Sequence, residues 1–248
     1  MIRVERTALP SALAEDLGRR TQRIVREKLD GKKAKALWKG ARTCRRDLQS
    51  ALQVMAAGLN RCMYCSDSEG TAVDHHEPVT HAPERTFDWP NHLLACSHCN
   101  SHAKGDRFPV DADGSPLLID PSGEDPLDHL DLTFSNGEYT ALTPKGEVSI
   151  YVFDLNRFVL RQGRADAFIE ARGMLCLYLD EIERERRNEA GAVHAALARR
   201  PYADVREAMT RKRALPGAEL VLGGSRVIRA LEVLMSAPSH ETSRGSRS

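Results

Sequence analysis

Apolar residues recur at helical spacing in the first quarter of this chain, lose that rhythm between residues 61 and 147, and recover it afterwards. Residues 10–29 have Pro10 at their start and Gly31 just beyond their end, which predicts a helix. Leu37, Ala41, Cys44, Leu48, Leu52, Met55 and Leu59 fall at three- and four-residue steps and predict a single helix over 33–58, ended by Gly58 and Asn60. From Arg61 to Asp106 the pattern is broken by Cys, His and Pro, leaving a short strand at Thr71–Asp74 and a partly helical stretch at Leu93–Lys104. Pro109, Pro116, Pro121, Pro126 and Pro144 make residues 106–147 loop-rich, with a hairpin turn expected at Asn136-Gly137. Weak alternation predicts a strand at Val148–Phe153, and residues 155–188, 189–212 and 224–235 read as helical. Residues 237–248 lack an apolar face and are expected to be disordered. The expected fold class is therefore α+β and mostly α-helical. A small irregular core at 61–108 sits between a helical region at 1–60 and another at 155–236, with a loop-rich acidic segment carrying short strands at 109–154.

Composition narrows the function classes. A hydrophobic content of 41% with 29% charged residues belongs to an ordinary globular protein. An aromatic content of 5% argues against a surface of stacked bases. The start MIRVERTALP has no apolar h-region and no run of 18 apolar residues exists, so a cytoplasmic protein without a membrane partner is expected. Net charge is only +1, but it is unevenly spread. Residues 1–46 hold 14 Lys/Arg against 5 Asp/Glu, while residues 106–138 hold 9 acids against Arg107 alone. The first block can lie along phosphates or can simply be a basic helix surface.

Candidate chemistry sits where the periodicity fails. Cys62-Met-Tyr-Cys65 and Cys96-Ser-His-Cys99 supply four thiolates in two short loops, the donor set and spacing of a closed structural zinc site. Cys44 and Cys176 stand alone in helical patterns and read as buried small apolar residues. A gap of 30 residues separates Cys65 from Cys96, more than a simple zinc ribbon needs. It carries Val73-Asp74-His75-His76-Glu77-Pro78 and Trp89-Pro90-Asn91-His92-Leu93-Leu94, and Cys99 is followed by Asn100-Ser-His-Ala-Lys104-Gly-Asp106.

Over these roughly 45 residues the chain resembles the zinc-stapled HNH endonucleases, whose pattern runs C-x-x-C, D-H-x-x-P, N-x-L, C-x-x-C-N, K-G-D. The resemblance implies a ββα-metal fold and metal-dependent hydrolysis of DNA phosphodiester bonds, with structural zinc and a catalytic Mg²⁺ or Mn²⁺. In that register the base lies three residues before the proline, which gives His75 the base role and Asp74 a metal role. Neighbouring strand residues face opposite ways, so a bulge is expected to bring Asp74 and His75 to one site. His76 is then a supporting or phosphate-contacting residue. Asn91 matches the position that bonds backbone near the base, and Asn100 matches the second metal ligand. Lys104, one residue beyond the family's usual spacing, could neutralise phosphate, with His102 a rival or simply solvated and His98 expected to face solvent. More weakly, Lys104–Pro109, Leu117–Pro121, Asp125–His129 and Leu155–Arg157 look like HNH proteins found beside retrons and in Septu-type anti-phage systems. That likeness implies an ATPase partner subunit, docked through helices bearing Phe158, Leu160, Phe168 and Leu175. Two other readings remain open: a stand-alone nicking or homing nuclease, and a non-catalytic zinc-dependent nucleic-acid-binding module.

Overall fold

The computed structural model describes residues 1–236, so the expectation for residues 237–248 lies outside the described residues. It divides into two compact units, Met1–Phe168 with Ala198–Ala208, and Ile169–Leu197 with Met209–Ser248. The candidate site lies wholly in the first.

Helices α1 (Ser11–Arg26), α2 (Gly31–Gly40) and α3 (Arg42–Met55) open the chain. α1 buries Leu13, Leu17 and Ile24, and α3 buries Cys44, Leu48 and Leu52. All of these but Leu52 join Val79 and Phe87 in one cluster, against which Trp38, Val73 and Trp89 pack. The three helices thus form the wall on which the irregular segment rests. The single helix expected over 33–58 is two helices. Ala41 (φ −82°, ψ 53°) leaves helical geometry directly after Gly40, where the poor helix propensity of glycine makes a break cheap. Gly31 starts α2 rather than ending α1, because the Asp30 carboxylate accepts from the Lys33 amide and caps the new helix.

Two short antiparallel sheets follow. In the first, β1 (Ala72–His75) pairs with β2 (His92–Ala95) in an unbroken register from Ala72 opposite Ala95 to His75 opposite His92. The expected bulge at Asp74–His75 is not there. β1 ends at His75, so the last strand residue and its neighbour reach the same groove without one. In the second, β3 (Leu130–Thr133) pairs with β4 (Glu138–Ala141) across the Asn136-Gly137 turn. Gly137 has φ +65°, and a Cβ there would lie 1.9 Å from the Arg161 carbonyl oxygen, so only glycine fits.

The strand expected at Val148–Phe153 is a helix, α4 (Pro144–Phe153). Its start is specified by Thr143, whose hydroxyl accepts from the Gly146 amide, and by Pro144 in the first turn, where a missing N–H costs nothing. Capping outweighs a weak alternation. Then come α5 (Phe158–Glu183), α6 (Arg187–Arg199), α7 (Ala203–Lys212), α8 (Ala218–Leu222) and α9 (Ser225–Ser236). In the second unit Leu175, Leu179, Ala190, Leu222, Val227 and Leu231 are buried. Of the four apolar residues expected to form a docking face, Leu160, Phe168 and Leu175 are buried and only Phe158 is exposed. Helical periodicity marks the core-facing stripe first, and these three belong to it. Cys44 is buried as expected, whereas Cys176 is half-buried. Among the described residues no helix is long and apolar enough to cross a membrane.

Candidate metal centre and active site

Cys62 and Cys65 lie in the loop after α3, and Cys96 and Cys99 follow β2, so pairing of β1 with β2 closes the two loops on each other. One ligand atom from each of the four buried cysteines lies within 4.8 Å of all the others. Zinc–sulfur bonds of about 2.3 Å set tetrahedral sulfurs roughly 3.8 Å apart, so the cluster needs little adjustment to hold the ion. Cys65 Sγ and Cys96 Sγ are already 4.0 Å apart. Hydrogen bonding to Cys62 pulls the Cys65 thiol down to about 6, and the same bonding lowers Cys96, favouring the thiolates that zinc requires. Burial pushes Cys62 up, and bonding to Cys62 pushes Cys99 up, as expected where four thiols share one space. The cluster therefore fits zinc.

The first loop also reaches the candidate active site. Tyr64, between Cys62 and Cys65, donates its hydroxyl to Asp74 Oδ2 at 2.6 Å and stacks on Phe153 with ring centroids 4.1 Å apart. On the other side the Lys104 ammonium lies 3.2 Å from the Asp74 carboxylate and 2.6 Å from the His75 carbonyl oxygen. Lys104 comes from the π-helical segment His98–Lys104 that follows the second cysteine pair. Both members of this pair are buried. Burial pushes the Asp74 carboxyl above its ordinary range, and Lys104 and Tyr64 oppose that shift. Lys104 is thus committed to Asp74 and His75, and it is not presented to a phosphate.

His75 is held by an aromatic box and one carbonyl. Its Nε2 lies 3.0 Å from the Thr86 carbonyl oxygen, and His92 Nε2 lies 3.0 Å from the same oxygen. A carbonyl only accepts, so both rings carry their proton on Nε2, and the Nδ1 of neutral His75 keeps a free lone pair. Trp38 of α2 stands edge-on to His75 at 4.5 Å and stacks on His92 at 5.2 Å. Burial lowers His75 to about 4 and His92 well below its usual value, so both are neutral near pH 7.

Asn91 fixes the loop between the strands. Its Oδ1 accepts from the Glu77 amide at 2.8 Å, and its Nδ2 donates to the carbonyls of Glu77 (3.0 Å) and Arg85 (3.2 Å). Arg6 clamps the same segment from outside, donating to the carbonyls of Trp89, Pro90 and His92. Asp74, His75, Asn100 and Lys104 come together along one groove of about 430 Å³, with Trp38, Lys35 and Lys39 of α2 on its other side.

His76 does not join them. It is buried, its ring edge packs on Phe108 at 5.6 Å, and its Nδ1 has no hydrogen-bond partner, so it cannot touch a phosphate in the groove. His102 is exposed, with Nδ1 3.3 Å from the Ser97 carbonyl oxygen. His98 is half-buried rather than turned to solvent. Sequence reasoning passed over Tyr64, Trp38, His92 and Thr86. Tyr64 and His92 lay inside the quoted motifs, while Trp38 and the Thr86 carbonyl left no signal.

A divalent cation on Asp74 and Asn100 meets donors of the right kind, a carboxylate and an amide oxygen. As arranged they do not fit one, because Tyr64 and Lys104 already engage the buried Asp74 carboxylate. Compared with the known protein families and the curated proteins, the chain matches no family model and no individual protein.

Proposed function

We propose that this chain is an endonuclease of the HNH type that hydrolyses DNA phosphodiester bonds, with His75 as general base and a structural zinc on Cys62, Cys65, Cys96 and Cys99. The observation that carries the reading is the His75 ring. Burial keeps it neutral, Thr86 orients it through Nε2, which leaves the Nδ1 lone pair as its basic position, and the residue lines a groove that Lys35 and Lys39 also line. In the proposed step a water loses its proton to His75 Nδ1 as its oxygen bonds to phosphorus. The P–O ester bond opposite then breaks, and the departing oxygen is protonated from solvent. Lys39 offsets the charge that builds on the phosphoryl oxygens, and Lys35, paired with Asp106 at 3.0 Å, stands beside it. Asp74 acts through Lys104, which it holds against the His75 backbone. The bonding of Asn91 supports the loop role proposed for it.

The test is cleavage of supercoiled plasmid with Mg²⁺ or Mn²⁺ and with chelator. His75→Ala should abolish cleavage while zinc content and melting temperature stay unchanged, and His76→Ala should retain activity. A dead His76→Ala beside an active His75→Ala would reverse the assignment. One observation favours a second reading, a non-catalytic zinc-dependent DNA-binding module: the buried Lys104–Asp74 pair occupies the proposed metal position. Absence of cleavage by the isolated chain under every metal condition, with DNA binding retained, would select it. The weaker likeness to Septu-type and retron-associated proteins supports a role as the nuclease subunit of an anti-phage complex with an ATPase. Co-purification with an ATP-hydrolysing subunit, and cleavage controlled by its nucleotide, tests that role against a stand-alone nicking or homing nuclease.

A further inference from the structure

A second groove, of about 460 Å³, meets the His75 groove at Trp38, Val73 and Asn100. Its outer wall is α3. Arg42, Arg45 and Arg46 stand at i, i+3 and i+4 and share one helix face, with Gln49 a turn further on. Their direction is fixed because Cys44, Leu48 and Leu52 anchor the helix by its buried side. Gln49 ties the groove to the hairpin, donating to the Thr71 carbonyl oxygen at 3.3 Å.

All three arginines are exposed, as is Lys39 at the junction with the His75 groove. Arg46 has a carboxylate partner in its neighbour Asp47, at 3.1 Å. Arg45 lies over the Trp38 ring, 5.6 Å from its centroid. Arg42 and Lys39 make no ion pair among the described residues. A trough with Arg42 and Lys39 unpaired among the described residues and Arg45 and Arg46 exposed beside them, opening onto the His75 site, is chemically matched to a polyanion running lengthwise. From Arg42 to Arg46 the helix rises roughly 6 Å. Three successive phosphates of one strand span about 7 Å along the axis, two steps of about 3.4 Å, so three phosphates can face three arginines.

We infer that the α2–α3 groove is a track for the DNA backbone, in which Arg42, Arg45 and Arg46 bind the phosphates next to the one delivered to His75. This rests on the nuclease reading of the His75 groove, but the experiment separates the two. In a His75→Ala background, binding of a fluorescein-labelled duplex is followed by anisotropy from 50 to 200 mM salt. The combined variant R42A/R45A/R46A should bind at least about tenfold more weakly and lose roughly two to three units of the log–log salt slope, since each phosphate contact contributes about 0.9. R42K/R45K/R46K, which keeps the charges, should stay within about threefold. R19A/R26A, altering exposed cations of α1, should match the parent. Zinc content and melting temperature verify the fold of each variant.

Unchanged affinity and slope in the triple alanine variant would overturn the track, even if the unaltered chain cleaves DNA. Binding lost in that variant, in a chain that never cleaves DNA, would keep the track and remove the nuclease reading. Tighter binding of an RNA duplex than of DNA, or no binding of either, would overturn the assignment to DNA.

Discussion

The two small sheets of the first unit have the same size and opposite construction. Each pairs two four-residue strands without a break. β3–β4 closes on itself through the Asn136-Gly137 turn and alternates buried with exposed positions, as a sheet with one wet face does. β1–β2 joins strands separated by residues 76–91, and β2 is buried throughout. Nothing local holds the second arrangement. It depends on the cysteine cluster at one end, on Asn91 within the connecting loop and Arg6 clamping it from outside, and on the helical wall behind it. A hairpin closed by its own turn is scaffold; a hairpin whose strands are joined only by distant fixing can aim its residues into a groove.

The largest predicted effect follows from that contrast. The purified protein should contain about one zinc per chain, and Cys62→Ser or Cys99→Ser should yield unfolded or insoluble protein, since structural zinc contributes on the order of 10 kcal/mol to folding. Partial chelation should separate the sheets in hydrogen exchange: amides of 72–75 and 92–95 should lose protection before those of 130–133 and 138–141. Simultaneous loss, or stable active protein without zinc, would contradict the asymmetry.

Each sheet also has a buried cation. Lys104 faces the carboxylate of Asp74, whereas Arg164 donates to the carbonyls of Gly137 and Leu155 and lies over the Tyr139 ring. Lys104→Ala leaves a buried carboxylate without its partner and should cost about 3–5 kcal/mol along with all cleavage. Arg164→Ala strands only neutral carbonyls and should cost less, roughly 2–3 kcal/mol, with cleavage retained. Denaturant melts paired with the plasmid assay check both. Equal loss of activity in the two variants would mean that β3–β4 also shapes the site.

A pH series sharpens the comparison further. Burial holds His75 and His76 near 4 and His92 well below its usual value, all on or beside β1–β2. Unfolding restores an ordinary value near 6.5, so below that pH the unfolded chain binds protons that the folded chain refuses. Stability should therefore be fully present above pH 6.5 and fall as pH drops toward 4, by up to roughly 3 kcal/mol for each of His75 and His76. A melting temperature that is flat from pH 7 to pH 4.5 would show that these rings are solvated.

The same contrast explains what could be read from sequence. The hairpin at Asn136-Gly137 was legible because a turn dipeptide carries its own geometry. The cysteine cluster was legible because two C-x-x-C pairs have one economical use. α1 and the later helices followed from periodicity. The break at Ala41 and the helix at Pro144–Phe153 were missed because glycine and caps decide them locally, against the apolar pattern. Within the site, residue types marked Asp74, His75, Asn91 and Asn100, but not their contacts. Lys104 turned inward to Asp74 because a π-helical segment carries it, and no spacing rule reveals a π turn in advance. His76 and His75 are adjacent and alike in sequence, and only the end of β1 separates their fates.

The smallest effect concerns two asparagines, one pinning each sheet. Asn156 pairs with the Tyr139 backbone, accepting from its amide and donating to its carbonyl, both at 2.8 Å, as an added strand residue would. It is half-buried, so water can replace it, and Asn156→Ala should cost only about 1 kcal/mol. Asn91 is 1% exposed and makes three backbone bonds to Glu77 and Arg85. Asn91→Ala leaves those groups without a partner and should cost roughly 2–3 kcal/mol. It should also lower cleavage at temperatures where the fold persists, because the loop it fixes supplies the Thr86 carbonyl that orients His75. Asn91→Asp makes the finer distinction. A carboxylate can still accept from the Glu77 amide but meets two carbonyl oxygens in place of donating to them. The loop should then open on that side, with slower cleavage than the stability loss alone explains. Equal activity of Asn91→Asp and the unaltered chain at matched folded fraction would show that the loop does not set the His75 ring.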